Sequence, residues 1–270
     1  MIKRFKNTLR TWLPAPLAIL LKYVKNHLAR TIGDHFAIAH HRDKVLLSML
    51  GFSCVQDGPF QGMRYIRSIS GTKLLPKLLG SYEKELWPAV ERILCYQTDL
   101  VVDIGSAEGY YVVGLAYRLQ HCKVVAYDTA SDARYYCRQL AGLNGVMGQV
   151  LVQGCCDVWE LERQLCNAKR PVVISDCEGY ELEVLRPDYA PSLMRAVILV
   201  ELHDFLIPGI TTELWSRFEL THDVTTYTTQ PRTIADIPEG ISLSPEEACF
   251  AMDEERPFMQ WYLLWPRDSR

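Results

Sequence analysis

The sequence has no long apolar segment. The longest apolar run near the start, residues 13–21, has nine residues and is interrupted by Pro14 and Pro16. A segment that spans a bilayer needs roughly 20 apolar residues. No small-residue cleavage site of the kind that ends a signal peptide is found there, so we expect neither a membrane anchor nor a secretory signal, and the chain is predicted to be cytoplasmic.

Paired cysteines are also missing. The nine cysteines include no C-x-x-C pair, and Cys155 and Cys156 are adjacent in sequence. Tetrahedral zinc sites need ligands paired at short spacing, so the pattern does not favour a zinc site. It predicts reduced thiols that pack as small apolar side chains in a cytoplasmic protein.

Charge is nearly balanced over the whole chain but unevenly distributed. Residues 1–44 contain nine Lys or Arg against two Asp, whereas the rest of the chain has 20 basic and 30 acidic residues. Residues 1–50 are therefore predicted to form a basic helical N-terminal extension. It either lies on an anionic membrane surface or an acidic protein partner, or caps the main domain with its apolar side. The acidic remainder is not expected to bind nucleic acid.

Residues 51–97 are predicted to form a lead-in segment with short β elements and one helix. Helical spacing of apolar residues extends over 82–94, and Glu83 and Glu85 fall near the start of that helix, where its dipole favours acids.

Residues 98–270 have the pattern of an α/β domain. Apolar runs that alternate with helical stretches predict parallel strands buried on both faces, and hence an open, doubly wound, mostly parallel seven-stranded sheet. Residues 231–257 are expected to be irregular. The predicted strands are 100–104, 123–127, 149–153, 172–175, 196–201, 224–228 and 260–264.

A glycine-rich turn follows the first predicted strand and reads D-x-G-x-x-x-G from Asp103 to Gly109. A dinucleotide fingerprint would need glycine where Ala107 stands, and no Tyr-x-x-x-Lys relay is present, so a NAD-dependent oxidoreductase is a weaker alternative. A purely structural turn is another.

The turn resembles motif I of class I S-adenosylmethionine-dependent methyltransferases, which implies a Rossmann-like methyltransferase fold with that cofactor. An acid after the second strand, Asp128, would accept the ribose hydroxyls, although NAD enzymes place an acid there too. Asp157, after the third strand, would bond the adenine amino group or cap the next helix, and both roles are compatible. The predicted cofactor-binding residues are Asp103, Gly105, Ser106, Ala107, Glu108, Gly109, Tyr110, Asp128 and Asp157.

Three carboxylates follow the fourth predicted strand, on Asp176, Glu178 and Glu181. Carboxylates this close are costly unless water, a metal or a ligand cation compensates them. The motifs of nucleic-acid amino methylation (Asn/Asp-Pro-Pro-aromatic) and of cytosine C5 methylation (Pro-Cys) are absent here. Cys177 is therefore not expected to be a nucleophile.

The string Asp176-Cys177-Glu178-Gly179 resembles the Asp-x-Glu-Gly motif of FkbM-type methyltransferases. Residues 105–111, 200–203 and 79–83 are also similar to that family, and the resemblance covers about residues 78–205. It implies O-methylation of a hydroxyl on a small molecule, a sugar or a glycan.

The predicted catalytic residues lie after the fourth and fifth strands: Asp176, Glu178, Glu201 and His203. A histidine titrates near neutrality and suits a general base, although a packed, hydrogen-bonded histidine is an equally ordinary arrangement. Asp176 is expected to touch substrate or the methionine end of the cofactor.

Glu178 and Glu181 begin a helix, whose dipole accounts for one of them. Glu201 could join Asp176 and His203 around a divalent ion, but no metal is predicted. Residues 205–218 could cover the substrate pocket. A non-catalytic interaction protein with the same fold, acting through its basic extension, is the alternative from a different functional class.

Overall fold

A computed structural model describes residues 45–66 and 73–267 of the chain. The chain divides into two units, Met1–Gly51 and Phe52–Arg270. In the first unit, residues 45–50 are helical, and the rest of the predicted N-terminal extension lies outside the described residues.

The second unit contains one seven-stranded sheet in the order β3-β2-β1-β4-β5-β7-β6. The first five strands are parallel, and β7 runs antiparallel to both β5 and β6. The predicted doubly wound, mostly parallel sheet is therefore confirmed. The strands are β1 Leu100–Ile104, β2 Lys123–Tyr127, β3 Val150–Gln153, β4 Pro171–Ser175, β5 Val197–Leu202, β6 His222–Thr228 and β7 Gln260–Pro266.

The connections between strands reverse direction at β1, which lies between β2 and β4. Ile104 at the end of β1 pairs with Tyr127 on one side and with Ser175 on the other, so three strands end at one level. Ligands of open α/β sheets bind outside the carboxyl ends of the strands at such a reversal. The two loops with the recognisable motifs, after β1 and β4, flank this point.

Eight α-helices are seen in residues 73–267 of the described chain, and several fill the connections between strands. They are α1 Leu74–Leu79, α2 Trp87–Leu94, α3 Tyr110–Arg118, α4 Ser131–Leu143, α5 Val158–Leu165, α6 Glu181–Val184, α7 Ile210–Phe218 and α8 Pro245–Ala251.

One face of the sheet carries the main apolar core. Val102, Val173 and Ile198 of the central strands pack with apolar residues of α5 and α7, including Leu161 and Phe218. Burial of such side chains stabilises the fold by roughly 1.5–3 kcal/mol each. Because side chains alternate along a strand, Asp103 and Glu201 point to the other face.

Two expectations about local structure were wrong. The helix predicted over 82–94 begins later: Lys84–Leu86 form one 3₁₀ turn, α2 starts at Trp87, and Glu83 has a left-handed backbone with φ of 46°. Residues 231–257 are not wholly irregular, because they contain α8. That helix has a capping box in which Ser244 and Glu247 satisfy each other's backbone N–H groups, a sequence signature that the prediction overlooked.

Two other expectations, on the cysteines and on the lead-in segment, were met. All nine cysteines are free thiols. Short β elements were expected after residue 51, and the described residues there contain an antiparallel bridge between Cys54 and Arg64. Within the described parts of the chain, no helix has the length and apolar character that crossing a membrane requires.

Candidate functional site

The glycine-rich turn after β1 uses its own backbone N–H groups internally. The amides of Gly105 and Ser106 both donate to the carbonyl of Tyr127, at 2.9 and 3.0 Å. The amide of Ala107 donates to the carboxylate of Asp128 at 2.9 Å. The amide of Gly109 donates to the carbonyl of Ser106. A loop that cradles phosphates offers such amides to the ligand, whereas four amides of this turn already have partners within the fold.

Gly105 is required by the fold itself. Its φ is +88°, and a Cβ added there would lie 1.6 Å from the carbonyl oxygen of Asp176. A glycine in such a turn can give a ligand close access to the backbone. In the structure, the absence of a side chain at Gly105 allows the loops after β1 and β4 to contact each other.

A groove of about 500 Å³ lies along the ends of β1, β2 and β3. This volume is in the usual range for a small-molecule site. Asp128 lines it, and its two oxygens accept the amides of Ala107 and Ala130. Further lining residues include Gly105, Ala107, Cys155, Cys177 and Tyr180.

Asp157 is not among the residues that line this groove. It caps α5, because its carboxylate accepts the backbone N–H of Glu160 at 2.8 Å. The structure thus confirms the capping role, while a contact with adenine stays a prediction.

A smaller cavity of about 50 Å³ adjoins the groove and shares Gly105, Ala107 and Asp176 with it. Its wall is acidic: Glu83, Asp103, Asp176 and Glu201 all line it. Tyr110 and Ser106 line it as well, and the buried hydroxyl of Ser106 has no hydrogen-bond partner in the described chain.

Two cations face these acids, and both are already paired. Lys77 forms a buried ion pair with Glu108, which also accepts the hydroxyl of Tyr65 at 2.6 Å. Glu108, predicted to bind cofactor, is therefore engaged by Lys77 at the cavity wall.

Arg256 donates to Glu83 at 3.0 Å and lies 3.6 Å from Glu201. It also pairs with Glu254. Glu83 is consequently not the helix-dipole acid that the sequence suggested, but a buried ion-pair partner. Sequence reasoning missed Lys77 and Arg256, which no motif marks.

Burial and mutual repulsion perturb the acids of the cavity. Burial, together with the charges of Asp176, Asp128 and Glu83, holds the pKa of Asp103 well above its usual range. No hydrogen bond within the described chain reaches the Asp103 carboxylate. Burial and the charge of Glu83 raise the pKa of Asp176, and its hydrogen bond with Glu201 opposes that shift. Burial and the charges of Asp176 and Glu83 raise the pKa of Glu201 further. Carboxyl groups this close together in a buried cavity favour the binding of a cation beside them.

His203 follows β5 and is 2% exposed. Its Nδ1 lies 2.9 Å from Oε1 of Glu181, which is fully buried and also accepts the N–H of Cys177 at 3.0 Å. Burial alone would lower the pKa of His203, but the hydrogen bond and charge of Glu181 outweigh it and the net shift is upward. Burial likewise opposes ionisation of Glu181, but its hydrogen bonds from His203 and the backbone lower its pKa overall.

The helix dipole was expected to account for either Glu178 or Glu181. The main partner of Glu181 is His203, whose ring it orients.

The other ring nitrogen of His203, Nε2, faces Asp176 and Glu178. The distances are 3.5 Å to Oδ1 of Asp176 and 3.8 Å to Oε2 of Glu178. The structure thus brings together three of the four predicted catalytic residues, and the fourth, Glu201, contacts Asp176. Among residues 205–218, only the segment before α7 fits the expected cover, because Ile210, Leu214 and Phe218 are buried in the core. Phe205 is exposed and contacts the ring of His203.

No family model and no curated protein sequence matches this chain. Solved structures match only remotely. The O-methyltransferase TomG of Streptomyces achromogenes, in complex with SAM, is 14% identical; the match covers 72% of this chain and 78% of that one, with a TM-score of 0.42.

An O-methyltransferase from Bacillus cereus in complex with SAH is 12% identical over 76% of this chain and 84% of its own, with a TM-score of 0.41. An O-methyltransferase described as putative, from Klebsiella pneumoniae, is 11% identical over 73% and 92%, with a TM-score of 0.44. Matches this remote assign neither a ligand nor an activity to this chain.

Proposed function

We propose that the chain is an S-adenosylmethionine-dependent methyltransferase that methylates a hydroxyl oxygen. One observation carries the proposal: a turn with four amides already engaged lies beside a groove that ends in an acidic cavity. A dinucleotide would bring a diphosphate to this turn, where the carboxylates of the cavity repel it and four amides already have partners. S-adenosylmethionine has no phosphate, and its methionine end carries an ammonium and a sulfonium.

The residues present fit that molecule. A carboxylate has about four acceptor sites, and Asp128 uses two of them on backbone amides, so two remain for the ribose hydroxyls. Asp103 and Glu201 would face the cationic groups, and the unpartnered hydroxyl of Ser106 would gain a partner. Lys77 has donors left for the carboxylate of the methionine end.

S-adenosylmethionine supplies the methyl group: the acceptor oxygen bonds to the methyl carbon while the carbon–sulfur bond breaks, its electron pair remaining on sulfur. The chain's own residues hold the acceptor in line, exclude water and take up the hydroxyl proton. That proton passes to the cluster of Asp176, Glu178 and His203 and then to water, through the exposed Glu178. Orientation of the two reactants and removal of the proton both raise the reaction rate strongly, proton removal by about 10²–10⁴-fold.

The finer proposal is an FkbM-type enzyme that acts on a small molecule, a sugar or a glycan. Its support is the Asp-x-Glu-Gly string at the end of β4, where two of its acids face His203. The acidic cavity disfavours nucleic acid as acceptor, because a phosphate backbone needs positive charge. A cytoplasmic location and a contact of the basic extension with a membrane or protein remain part of this proposal.

Isothermal titration of the full chain with S-adenosylhomocysteine and with NADH tests the cofactor. We expect micromolar binding of S-adenosylhomocysteine and no heat with NADH. Binding of NADH alone would favour an oxidoreductase, and binding of neither would favour the non-catalytic interaction protein; either outcome overturns the proposal. Methyl transfer is then measured with labelled donor on a panel of hydroxylated sugars and small molecules, with an alkali-stable O-methyl ether as the expected product.

A further inference from the structure

Three side chains converge at the carboxyl edge of β4 and β5. Asp176, Glu178 and His203 each offer one ligand atom, and these atoms lie within 4.8 Å of one another. Exposure rises from His203, whose side chain is 3% exposed, through Asp176 at 44% to Glu178 at 77%. The cluster is therefore anchored at its base and open to solvent on one side.

The orientation of His203 is an independent observation. A neutral imidazole that donates from Nδ1 to the buried Glu181 keeps its lone pair on Nε2. That nitrogen makes no hydrogen bond within the described chain, yet it is aimed at the oxygens of Asp176 and Glu178, 3.5 and 3.8 Å away. The two carboxylates favour a positive charge at this point, which either a proton on Nε2 or a bound cation supplies.

Buried histidines that bind metals typically donate their other N–H to a carboxylate, which fixes the ring and strengthens the ligand. Glu181 has this relation to His203, because it is fully buried and is itself held by the N–H of Cys177. Three protein ligands with one open side are also the arrangement that leaves a coordination position for substrate.

We propose that Asp176, Glu178 and His203 bind one divalent cation. Two carboxylates and one imidazole suit Mn²⁺ better than Mg²⁺ or Ca²⁺, which prefer all-oxygen sites. This differs from the sequence analysis, which predicted no metal and considered Glu201 as a ligand. Glu201 lies outside the cluster, beside Arg256 and hydrogen-bonded to Asp176.

The binding itself does not depend on methyl transfer. The cation's role does rest on the proposed function: it would polarise the acceptor hydroxyl and so ease the loss of its proton to water at the open side of the cluster, because Nε2 of His203 would then be a ligand and not the base.

The test is Mn²⁺ titration of the full, chelator-treated chain, followed by electron paramagnetic resonance of the free ion. We expect one Mn²⁺ per chain, with affinity lowered at least 10-fold in Glu178→Gln and in His203→Ala. The positioning variant Glu181→Gln should lose about 10- to 100-fold in Mn²⁺ affinity. Its matched control is Glu183→Gln, an exposed acid on the same helix, with wild-type affinity expected.

Glu178 is exposed, so Glu178→Gln should fold even if His203→Ala does not; thermal unfolding checks both variants. Absence of Mn²⁺ binding in the wild type, or unchanged affinity in Glu178→Gln, would overturn the metal site and leave His203 as the base. S-adenosylhomocysteine is titrated in parallel in the presence of chelator. If S-adenosylhomocysteine still binds and Mn²⁺ does not, the metal site alone is refuted. If S-adenosylhomocysteine does not bind, the proposed function is refuted, and the Mn²⁺ titration still decides the metal site.

Discussion

The groove along β1–β3 and the acidic cavity beside it differ in how their polar groups are satisfied. In the groove, Asp128 accepts two backbone amides, and four amides of the glycine-rich turn have partners within the fold. In the cavity, neither the Asp103 carboxylate nor the Ser106 hydroxyl has a hydrogen-bond partner among the described residues, and Asp176 and Glu201 lie side by side. Both regions belong to one site at the same edge of the sheet.

The difference separates residues that build the fold from residues that serve a ligand. Polar groups that satisfy one another stabilise the chain, and their replacement should cost stability. A buried acid without a partner, such as Asp103, destabilises it, so its presence needs a reason outside the folded chain itself. A cationic ligand end, and at the outer cluster a metal ion, would supply that reason.

Among residues that build the fold, substitution of Gly105 should have the largest effect on the free energy of unfolding. In Gly105→Ala the new Cβ would lie 1.6 Å from the Asp176 carbonyl oxygen, in a left-handed backbone. Backbone must therefore move. We expect a loss of about 3–5 kcal/mol in the free energy of unfolding by urea, from strain and overpacking combined.

The control is Gly148→Ala, where no atom lies within 4 Å of the added Cβ and φ is not left-handed. Its stability should change by less than about 1 kcal/mol. Equal effects of the two substitutions would refute the idea that Gly105 spaces the loops after β1 and β4.

Among residues that serve the ligand, Asp103 is the one to substitute. Asp103→Asn should raise the stability of the fold while weakening the binding of the cofactor. The pKa of Asp103 is raised in the folded state by burial, so its charged form costs stability once pH exceeds the ordinary value of about 4. The amide has the same shape without the charge. At pH 8 the variant should unfold at higher urea than the wild type, and below about pH 4 the gain should vanish, because Asp103 is then protonated in both states.

The same variant should bind S-adenosylhomocysteine at least 10-fold more weakly. Asp188→Asn, which changes an exposed acid paired with Arg186, is the control for both measurements. A stability loss in Asp103→Asn at pH 8 would contradict the assignment of Asp103 to the ligand.

The smallest effect is expected at Asp157, which the structure assigns to the fold. Asp157→Ala removes the cap of α5 and should cost about 1 kcal/mol in unfolding free energy. Asp157→Asn, an equally good cap, should cost little. If either variant weakens S-adenosylhomocysteine binding more than threefold, Asp157 also contacts the adenine as the resemblance suggested.

The fold was predictable from the sequence because its strands are buried on both faces. β1 and β2 have the predicted bounds, and the other five strands differ by no more than two residues at either end. Uninterrupted apolar runs carry this signal, since no alternation with polar residues blurs it. The loops after β1 and β4 were equally visible, because acids and glycines follow those runs directly.

Partners distant in sequence were not predictable. Arg256 reaches Glu83 across 173 residues, from a segment without a recognisable pattern. The contact of Glu181 with His203 was missed because a helix-start acid already has an ordinary explanation, and only the register of β4 and β5 brings the two residues together. Helix α8 was a different case, since the spacing of Ser244 and Glu247 indicated a helix start.

The central claim is that the acidic cavity binds the charged methionine end of the cofactor. It is tested most directly by calorimetry of the wild type and Asp103→Asn with two ligands, S-adenosylhomocysteine and 5′-methylthioadenosine, which lacks the amino-acid group. We expect the wild type to prefer S-adenosylhomocysteine at least 10-fold, and Asp103→Asn to lose that preference while binding 5′-methylthioadenosine as before. Equal affinity of the wild type for both ligands would contradict the claim.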